Sequence, residues 1–286
     1  MGSAVGDVLG VVVNAAVRVL RGVAYVALPA EVVLAVCLVA GVRVPGGVLA
    51  VGEVVVLLLF FGEVGLYARL RRSGLSAREA LEVLVPVPVL RLIGHELRLM
   101  VSLGLWVARK RVGVRGGDLA FPHARDQAAL MYGFAFVCLV ETVGMSYLLG
   151  GLPVVHAIVL VLDVYTVLFV LGLQAAAVTR PHVLSSDALR LRQAAHVDVL
   201  VPLDRIAVVR HELLFSHEKR EGELDLAVGS QTSVTLELTE PLDVPRLLGG
   251  ARAVRVLRFH ADEPRALLAA LKQARTAPSP SPGLPA

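Results

Sequence analysis

Long apolar stretches of the sequence contain ionisable side chains, among them Glu31, Glu141, His156 and Asp163. Two of these stretches meet at Gly150-Gly151, with Glu141 ten residues before Gly151 and Asp163 twelve residues after it. On two antiparallel helices both carboxyl groups would lie roughly 15–18 Å from the turn, near the centre of a bilayer. An ionised carboxylate at that depth costs about 2.5–3.5 kcal/mol, so such residues face the interior of a helix bundle or mark a site.

Two interpretations of these residues stay open. Glu31 is near the middle of its own apolar stretch, and the spacing of seven places His156 and Asp163 on one helix face. The four residues could form a buried cluster that handles protons or cations. Alternatively, the acids are protonated and hold the helices in register by hydrogen bonds to the hydroxyl groups of Tyr165, Thr142 or Thr166. No basic residue lies at the same depth, so the acids cannot all be ion-paired there.

The sequence contains no motif for hydrolytic or metal chemistry. His95-Glu96 and His211-Glu212 begin the zinc-protease helix motif, but Leu99 and Phe215 stand where it requires a second histidine. There is no nucleophile elbow and no glycine-rich phosphate loop with a lysine. Histidines interpreted as solvated or on a strand surface are His211, His217 and His260. We therefore predict a protein that is not an enzyme and uses no metal or cofactor.

Positive charge is concentrated in one segment. Residues 68–127 hold 11 Arg and Lys against 5 Asp and Glu. Beside membrane helices such a segment indicates cytoplasmic retention and anionic lipid headgroups rather than nucleic acid. The residues predicted to contact headgroups are Arg69, Arg71, Arg72, Arg91, Arg98, Arg109, Lys110 and Arg111.

The elements that position these residues are predicted from the apolar runs. A mean hydropathy of +0.72 with 56% hydrophobic residues is typical of a multi-pass membrane protein. We predict an N-terminal interfacial helix in residues 1–22, a transmembrane hairpin in 23–67 and a second hairpin in 128–179. The first hairpin has spans at 23–42 and 48–67. Four crossings with the basic ends inside place both termini in the cytoplasm.

Residues 88–108, within the basic segment 68–127, are predicted to form an amphipathic helix at the cytoplasmic membrane surface. Arg91, His95, Arg98 and Ser102 form one polar stripe along a helix, and both flanks are basic, which argues against a single crossing. Trp106 would then lie at the level of the headgroups. The alternative is a cytoplasmic helix that packs on the soluble domain.

The pattern changes at residue 180 to period-two alternation, which indicates half-buried antiparallel strands. We predict a domain over 180–275 with strands at 182–186, 188–193, 196–202, 205–213, 223–229, 233–239 and 253–260. A closing helix follows, with Asp262 as its N-cap and Pro264 in its first turn. Residues 276–286 form a Pro/Ser-rich tail that is expected to be disordered.

Seven short strands followed by one helix resemble the bacterial PH-like domain. The stretches that carry this resemblance are DALRLRQAAHVDVLVPLDRIAVV, starting at Asp187, and AVRVLRFHADEPRALLAALKQ, starting at Ala253. The whole layout is similar to multi-pass integral membrane proteins of actinobacterial type. The resemblance implies a strongly bent sheet or small barrel plugged by the helix, serving as a binding or assembly module. The early turns lack the basic cluster of phosphoinositide-binding relatives, so that specificity is not carried over.

The prediction is therefore a membrane α-helical protein with four transmembrane helices in two hairpins, interfacial helices, and a C-terminal all-β PH-like barrel capped by one helix. We expect it in the bacterial inner membrane, in contact with anionic headgroups, where its cytoplasmic domain binds a protein or serves as an assembly scaffold. The alternative function is a small transporter or proton- or cation-coupled protein that uses the intramembrane carboxylates.

Overall fold

The computed structural model describes residues 2–39, 41–216, 218, 220–246 and 249–276. The chain divides into two units, Met1–Leu90 and Arg91–Ala286, which are described in turn. The predicted tail lies outside the described residues except for Thr276, which ends the last helix. His217 also lies outside them.

The first unit is built from three helices: α1 Gly2–Val39, α2 Gly46–Arg72 and α3 Ala77–Leu84. Helix α3 begins with a capping box, in which Ser76 accepts from the Glu79 amide and Glu79 accepts from the Ser76 amide. Arg21 of α1 donates to the carbonyl oxygens of Val83 and Leu84 and so ties α1 to the end of α3. The predicted boundary between an interfacial helix and the first span is not seen. Instead, α1 continues through residue 22 and past Pro29 as one helix.

The second unit contains the greater part of α4 Val87–Val107, then α5 Arg125–Leu148 and α6 Pro153–Thr179. In the described residues, four helical segments are long and apolar enough to cross a membrane: Ala15–Leu38, Gly46–Arg72, Arg125–Leu148 and Pro153–Thr179. The prediction of four membrane-length helices is confirmed. Their side chains are mostly exposed, as expected of surfaces that lipid would cover.

The β domain contains eight described strands: β1 Leu119–Phe121, β2 His182–Leu184, β3 Ala188–Gln193, β4 Val197–Pro202, β5 Ile206–Leu214, β6 Glu223–Leu226, β7 Thr232–Val244 and β8 Arg252–Phe259. They form two four-stranded sheets in the orders β1-β2-β3-β4 and β5-β7-β8-β6. Helix α7, Pro264–Thr276, closes the domain. All seven predicted strand positions hold a strand, with ends that differ by a few residues.

One apolar core joins the two sheets and α7. Leu191 and Val201 of the first sheet, Leu236 and Phe259 of the second, and Leu271 of α7 all belong to it. Each of these side chains is fully or almost fully shielded from solvent. The apolar residues of the alternating pattern therefore face inward, but Arg192, Ser233 and Thr235, on the polar side of that pattern, are buried as well.

Three features of the domain differ from the prediction. No strand ladder closes the two sheets into a barrel in the described part of the chain. Strand β6 runs parallel to β8, whereas all strands were expected to be antiparallel. Strand β1 was missed because its three residues lie far from the rest, between α4 and α5, and pair with β2 only through tertiary folding.

Candidate functional site

Three members of the predicted intramembrane cluster, Glu141, His156 and Asp163, lie on the hairpin of α5 and α6. On α6, His156 Nε2 and Asp163 Oδ2 are both shielded from solvent and have no hydrogen-bond partner among the described residues. Glu141 of α5 is exposed. The buried stripe of α5 consists of Ala135, Cys138 and Thr142 instead. The structure thus keeps His156 and Asp163 on a partly buried face of α6 but leaves Glu141 off the buried stripe of α5.

The hydroxyl groups predicted to bond to the acids are engaged elsewhere. Thr142 donates to the Cys138 carbonyl at 2.8 Å, and Thr166 donates to the Leu162 carbonyl at 2.9 Å. Tyr165 donates to a carboxyl oxygen of Glu96 in α4, at 2.7 Å. These hydrogen bonds therefore give no support to the interpretation in which the hydroxyl groups hold the span acids.

Glu31 belongs to the first unit and lies against α2. A Cβ atom added at Gly52 would come within 2.6 Å of Glu31 Oε1, so the carboxyl occupies the space that a side chain there would fill. Together the two residues line an apolar cleft of about 560 Å³ between α1 and α2. Glu31 is half-buried at that position.

The basic residues predicted to meet lipid differ in their surroundings. Arg69, Arg71 and Arg72 are exposed in the last turn of α2, and Arg71 donates to the Leu75 carbonyl at 2.7 Å. Arg91 instead donates to two carbonyls of the β7–β8 connection, those of Arg246 and Gly249, at 3.0 and 2.7 Å.

Helix α4 turns much of its polar stripe toward the protein. His95 and Ser102 are buried, while Arg98 remains exposed. Leu99, which is completely buried, packs against Gly172 of α6, where an added Cβ would lie 3.3 Å from the Leu99 Cβ. Close contact between these helices therefore depends on a glycine. The alternative interpretation of 88–108 was a cytoplasmic helix packed on the soluble domain. Arg91 does contact that domain, whereas Leu99 packs on α6. The expectation of a water-facing polar stripe is wrong for His95 and Ser102.

The opposite side of α4 is apolar and uncovered. Leu92, Ile93, Leu97 and Val101 have exposed fractions of 42%, 49%, 61% and 57%. They recur at the spacing of one helical face. Helix α4 therefore presents an apolar stripe outward and a mostly polar stripe inward, the reverse of a helix on the surface of a water-soluble domain.

Basic residues surround a cleft at the C-terminal end of α4. The cleft has a volume of about 500 Å³ and is lined by Trp106, Arg109, Lys110, Arg111 and Thr179, with two valines. The ring of Trp106 stacks on Tyr132 of α5, with centroids 6.4 Å apart.

Backbone hydrogen bonds fix the geometry of this cleft. Arg109 adopts a left-handed conformation with φ of 53°, and the Lys110 amide donates to the Leu105 carbonyl at 2.8 Å, so α4 ends in a tight reversal. The Val112 amide then donates to the carbonyl of Thr179, the last residue of α6, at 2.9 Å. These contacts hold the three consecutive cations beside the end of a membrane-length helix.

A second cluster consists of buried histidines in the β domain. The rings of His123 and His182 stack with centroids 4.4 Å apart, and His182 also contacts the Phe259 ring edge-on at 5.0 Å. His182 Nδ1 accepts from the Arg192 amide at 3.1 Å, so its Nε2 carries the proton and donates to the His260 carbonyl at 2.9 Å. His182 is therefore held as a neutral ring by one acceptor and one donor bond.

Burial shifts the titration of this cluster. It lowers the pKa of His182 to about 4 and lowers the pKa of His123 well below the ordinary 6.5. The pKa of His260 is also lowered by burial, although Asp126 and Asp262 act in the opposite direction. Burial raises the pKa of the Asp262 carboxyl.

The cluster links the first turn of α5 to the end of β8. His260 Nε2 lies 3.2 Å from Asp126 Oδ2, and Asp262 accepts from the Arg125 amide at 3.2 Å. Asp126 also accepts from Gln231 in the turn before β7. The membrane-length helix α5 is thus attached to the β domain by polar contacts as well as by chain connectivity.

Sequence reasoning missed this cluster. His260 was interpreted as solvated or on a strand surface but is 4% exposed, whereas His211 is exposed as predicted. No local sequence pattern distinguishes His123 and His182, because these residues and His260 are far apart in the chain and come together only in the folded protein. Within the described residues, no group of three or more His, Cys, Asp or Glu side chains is placed to hold a metal ion.

Comparison of the chain with protein-family models, curated proteins and solved structures gives no match.

Proposed function

We propose that this chain is a non-enzymatic integral protein of the bacterial inner membrane whose cytoplasmic β domain binds a protein partner and so serves as an assembly module. Both termini would lie in the cytoplasm, in accordance with the basic residues at the ends of the spans. The resemblance to a PH-like domain is part of the proposal. Support for it comes from the strand positions and the closing helix α7, which fills the core with Leu267 and Leu271.

The observation that carries the proposal is the exposed second half of the edge strand β5. Among the described strands it has a neighbour, β7, on one side only. Residues 210–213 are all exposed, so neither face of this half of the strand is covered. Leu213 and Phe215 expose 52% and 66% of their surface. Edge strands with unpaired amides and exposed apolar side chains bind extended segments of other proteins by strand addition.

A matched set of variants tests this function in the full chain. Leu213→Glu and Phe215→Glu place a charge on the β5 edge, whereas Leu200→Glu changes a residue of similar exposure, 56%, on β4 of the other sheet. The tagged protein is purified from its native host in mild detergent, and co-purifying proteins are quantified by mass spectrometry. We expect a stoichiometric partner that is lost from the β5 variants and retained by Leu200→Glu. A protein that purifies without a partner, or one whose partner survives both β5 substitutions, contradicts the proposal.

The second candidate function, a small transporter or proton-coupled protein, is favoured by one observation. His156 Nε2 and Asp163 Oδ2 are shielded on α6 without a hydrogen-bond partner among the described residues. Buried groups of this kind inside a span frequently belong to proton or ion pathways. Asp163→Asn should then abolish proton or cation flux into liposomes while insertion is unchanged, and Glu141→Gln, at an exposed position, should have a smaller effect. If liposomes that contain the wild-type protein show no more proton or cation flux than liposomes without protein, this candidate function is excluded.

A further inference from the structure

The cleft at the end of α4 carries positive charge that no ion pair of the described residues neutralises. Arg109, Lys110 and Arg111 are consecutive and exposed. None of the ion pairs formed between described residues involves any of the three. Three cations on one rim of a cleft of about 500 Å³ favour an anionic ligand.

The position of the cleft indicates that its ligand is a membrane component. Thr179, in the lining, is the last residue of the membrane-length helix α6. Trp106 forms another wall, and tryptophan is enriched where a protein crosses the headgroup region. Val107, beside the cations, is 79% exposed. Apolar surface therefore adjoins the cationic rim, and a soluble anion would leave that surface in water.

We propose that this cleft binds the phosphate headgroup of an anionic phospholipid, with Arg109, Lys110 and Arg111 contacting the phosphate and an acyl chain lying on the exposed apolar side of α4. Basic pockets beside membrane helices on the cytoplasmic side bind lipid headgroups by this chemistry. The inference concerns a discrete site and does not depend on whether β5 binds a protein. If the cleft binds lipid, α4 connects the membrane surface to the β domain, which Arg91 of the same helix contacts.

The single tryptophan of the chain gives a direct readout, because Trp106 lines the cleft. The full-length protein is reconstituted in vesicles of phosphatidylcholine that contain a small fraction of phosphatidylglycerol brominated on its acyl chains. Bromine quenches tryptophan at short range, so the fluorescence loss reports the occupancy of the cleft. We expect stronger quenching by brominated phosphatidylglycerol than by the same fraction of brominated phosphatidylcholine.

Two double variants separate a site from general surface charge. Lys110→Gln with Arg111→Gln removes two cations from the cleft and leaves the left-handed residue Arg109 in place. Arg69→Gln with Arg72→Gln removes two exposed cations from the end of α2. We expect the preference for the anionic lipid to fall about fivefold for each cation removed in the first variant, and to stay near the wild-type value in the second.

A charge-conserving exchange, Lys110→Arg with Arg111→Lys, should retain the preference, which would show that the two positions tolerate substitution when the charge is kept. Equal quenching of the wild type by the two brominated lipids overturns the inference, as does an equal loss in both charge-removing variants. Inorganic phosphate and glycerol phosphate are added at millimolar concentration to identify the source of the anion. Displacement of the brominated lipid by either would assign the cleft to a soluble phosphate and overturn the lipid assignment.

Discussion

Acidification should destabilise the β domain through His182. The ring is buried between His123, His260, Phe259 and the Arg192 amide. It is neutral in the folded state, with a pKa of about 4 against 6.5 ordinarily. Because the folded pKa is lowered, the unfolded chain binds the proton more readily between these values, so stability is complete above about pH 6.5 and is lost as the pH falls toward 4.

The size of the effect follows from the two pKa values. One pKa unit corresponds to about 1.4 kcal/mol, so the full loss attributable to His182 is about 3 kcal/mol, of which about 2 kcal/mol is lost by about pH 5. His123 and His260 act in the same direction, because burial lowers the pKa of both. Asp262 acts in the opposite direction, because burial raises the pKa of its carboxyl.

Hydrogen exchange measures this change in detergent without denaturant. Peptides from β3 and β8 report opening of the core after correction for the intrinsic pH dependence of exchange. Between about pH 7.5 and pH 5, the opening equilibrium in the wild type should rise at least about 30-fold. His182→Gln should be less stable near neutral pH but should lose that share of the pH dependence, and His211→Gln, on the exposed edge strand, should behave like the wild type. If the wild type and His182→Gln show the same pH dependence, His182 is not a buried neutral ring and the reasoning fails.

Three further outcomes are expected. Gly172→Ala should lower the free energy of unfolding by about 1–3 kcal/mol, because the added methyl group crowds α4. Thermal unfolding in detergent measures the change. The control is Gly144→Ala, also in a helix, which should be neutral or stabilising because its methyl group meets no neighbour within 4 Å. Arg91→Gln should increase protease cleavage in the β7–β8 connection, whose carbonyls Arg91 binds, while Arg98→Gln should leave the cleavage rate unchanged. Arg258→Met should destabilise the domain by about 1–3 kcal/mol in urea unfolding, because it leaves the two part-buried carboxylates of β6 without their cation. Lowering the pH toward about 4 begins to protonate these carboxylates in the variant and should diminish the difference in stability from the wild type.

Elements that depend on local patterns could be predicted from the sequence. Apolar runs of about 20 residues gave the four membrane-length helices, and period-two alternation gave seven strand positions. The predicted helix 88–108 agrees within one residue at each end with Val87–Val107. Each of these patterns is contained in a window of consecutive residues, so no knowledge of distant contacts is required.

The candidate sites were predictable only in part. The basic residues of the cleft could be named, because positive charge beside a span has a direct physical meaning. Their arrangement with Trp106 and Thr179 was not predictable, since it depends on the hydrogen bond between Val112 and the end of α6. The predicted intramembrane cluster shows what sequence cannot supply. Equal depth on two helices does not determine toward which side of α5 Glu141 points, and in the structure it is exposed.

The apolar helices, the basic segment and most strands of the β domain could be located from the sequence, but β1 lies outside the predicted bounds of that domain. Three features depend on tertiary contacts: which face of α4 is buried, the parallel direction of β6 and β8, and the grouping of three histidines in one core. Those features arise from contacts between residues such as His182 and His260, which are 78 positions apart, and Arg125 and Asp262, which are 137 apart. Hydrophobic periodicity records whether a residue faces inward, but it does not record which distant residue it will meet there.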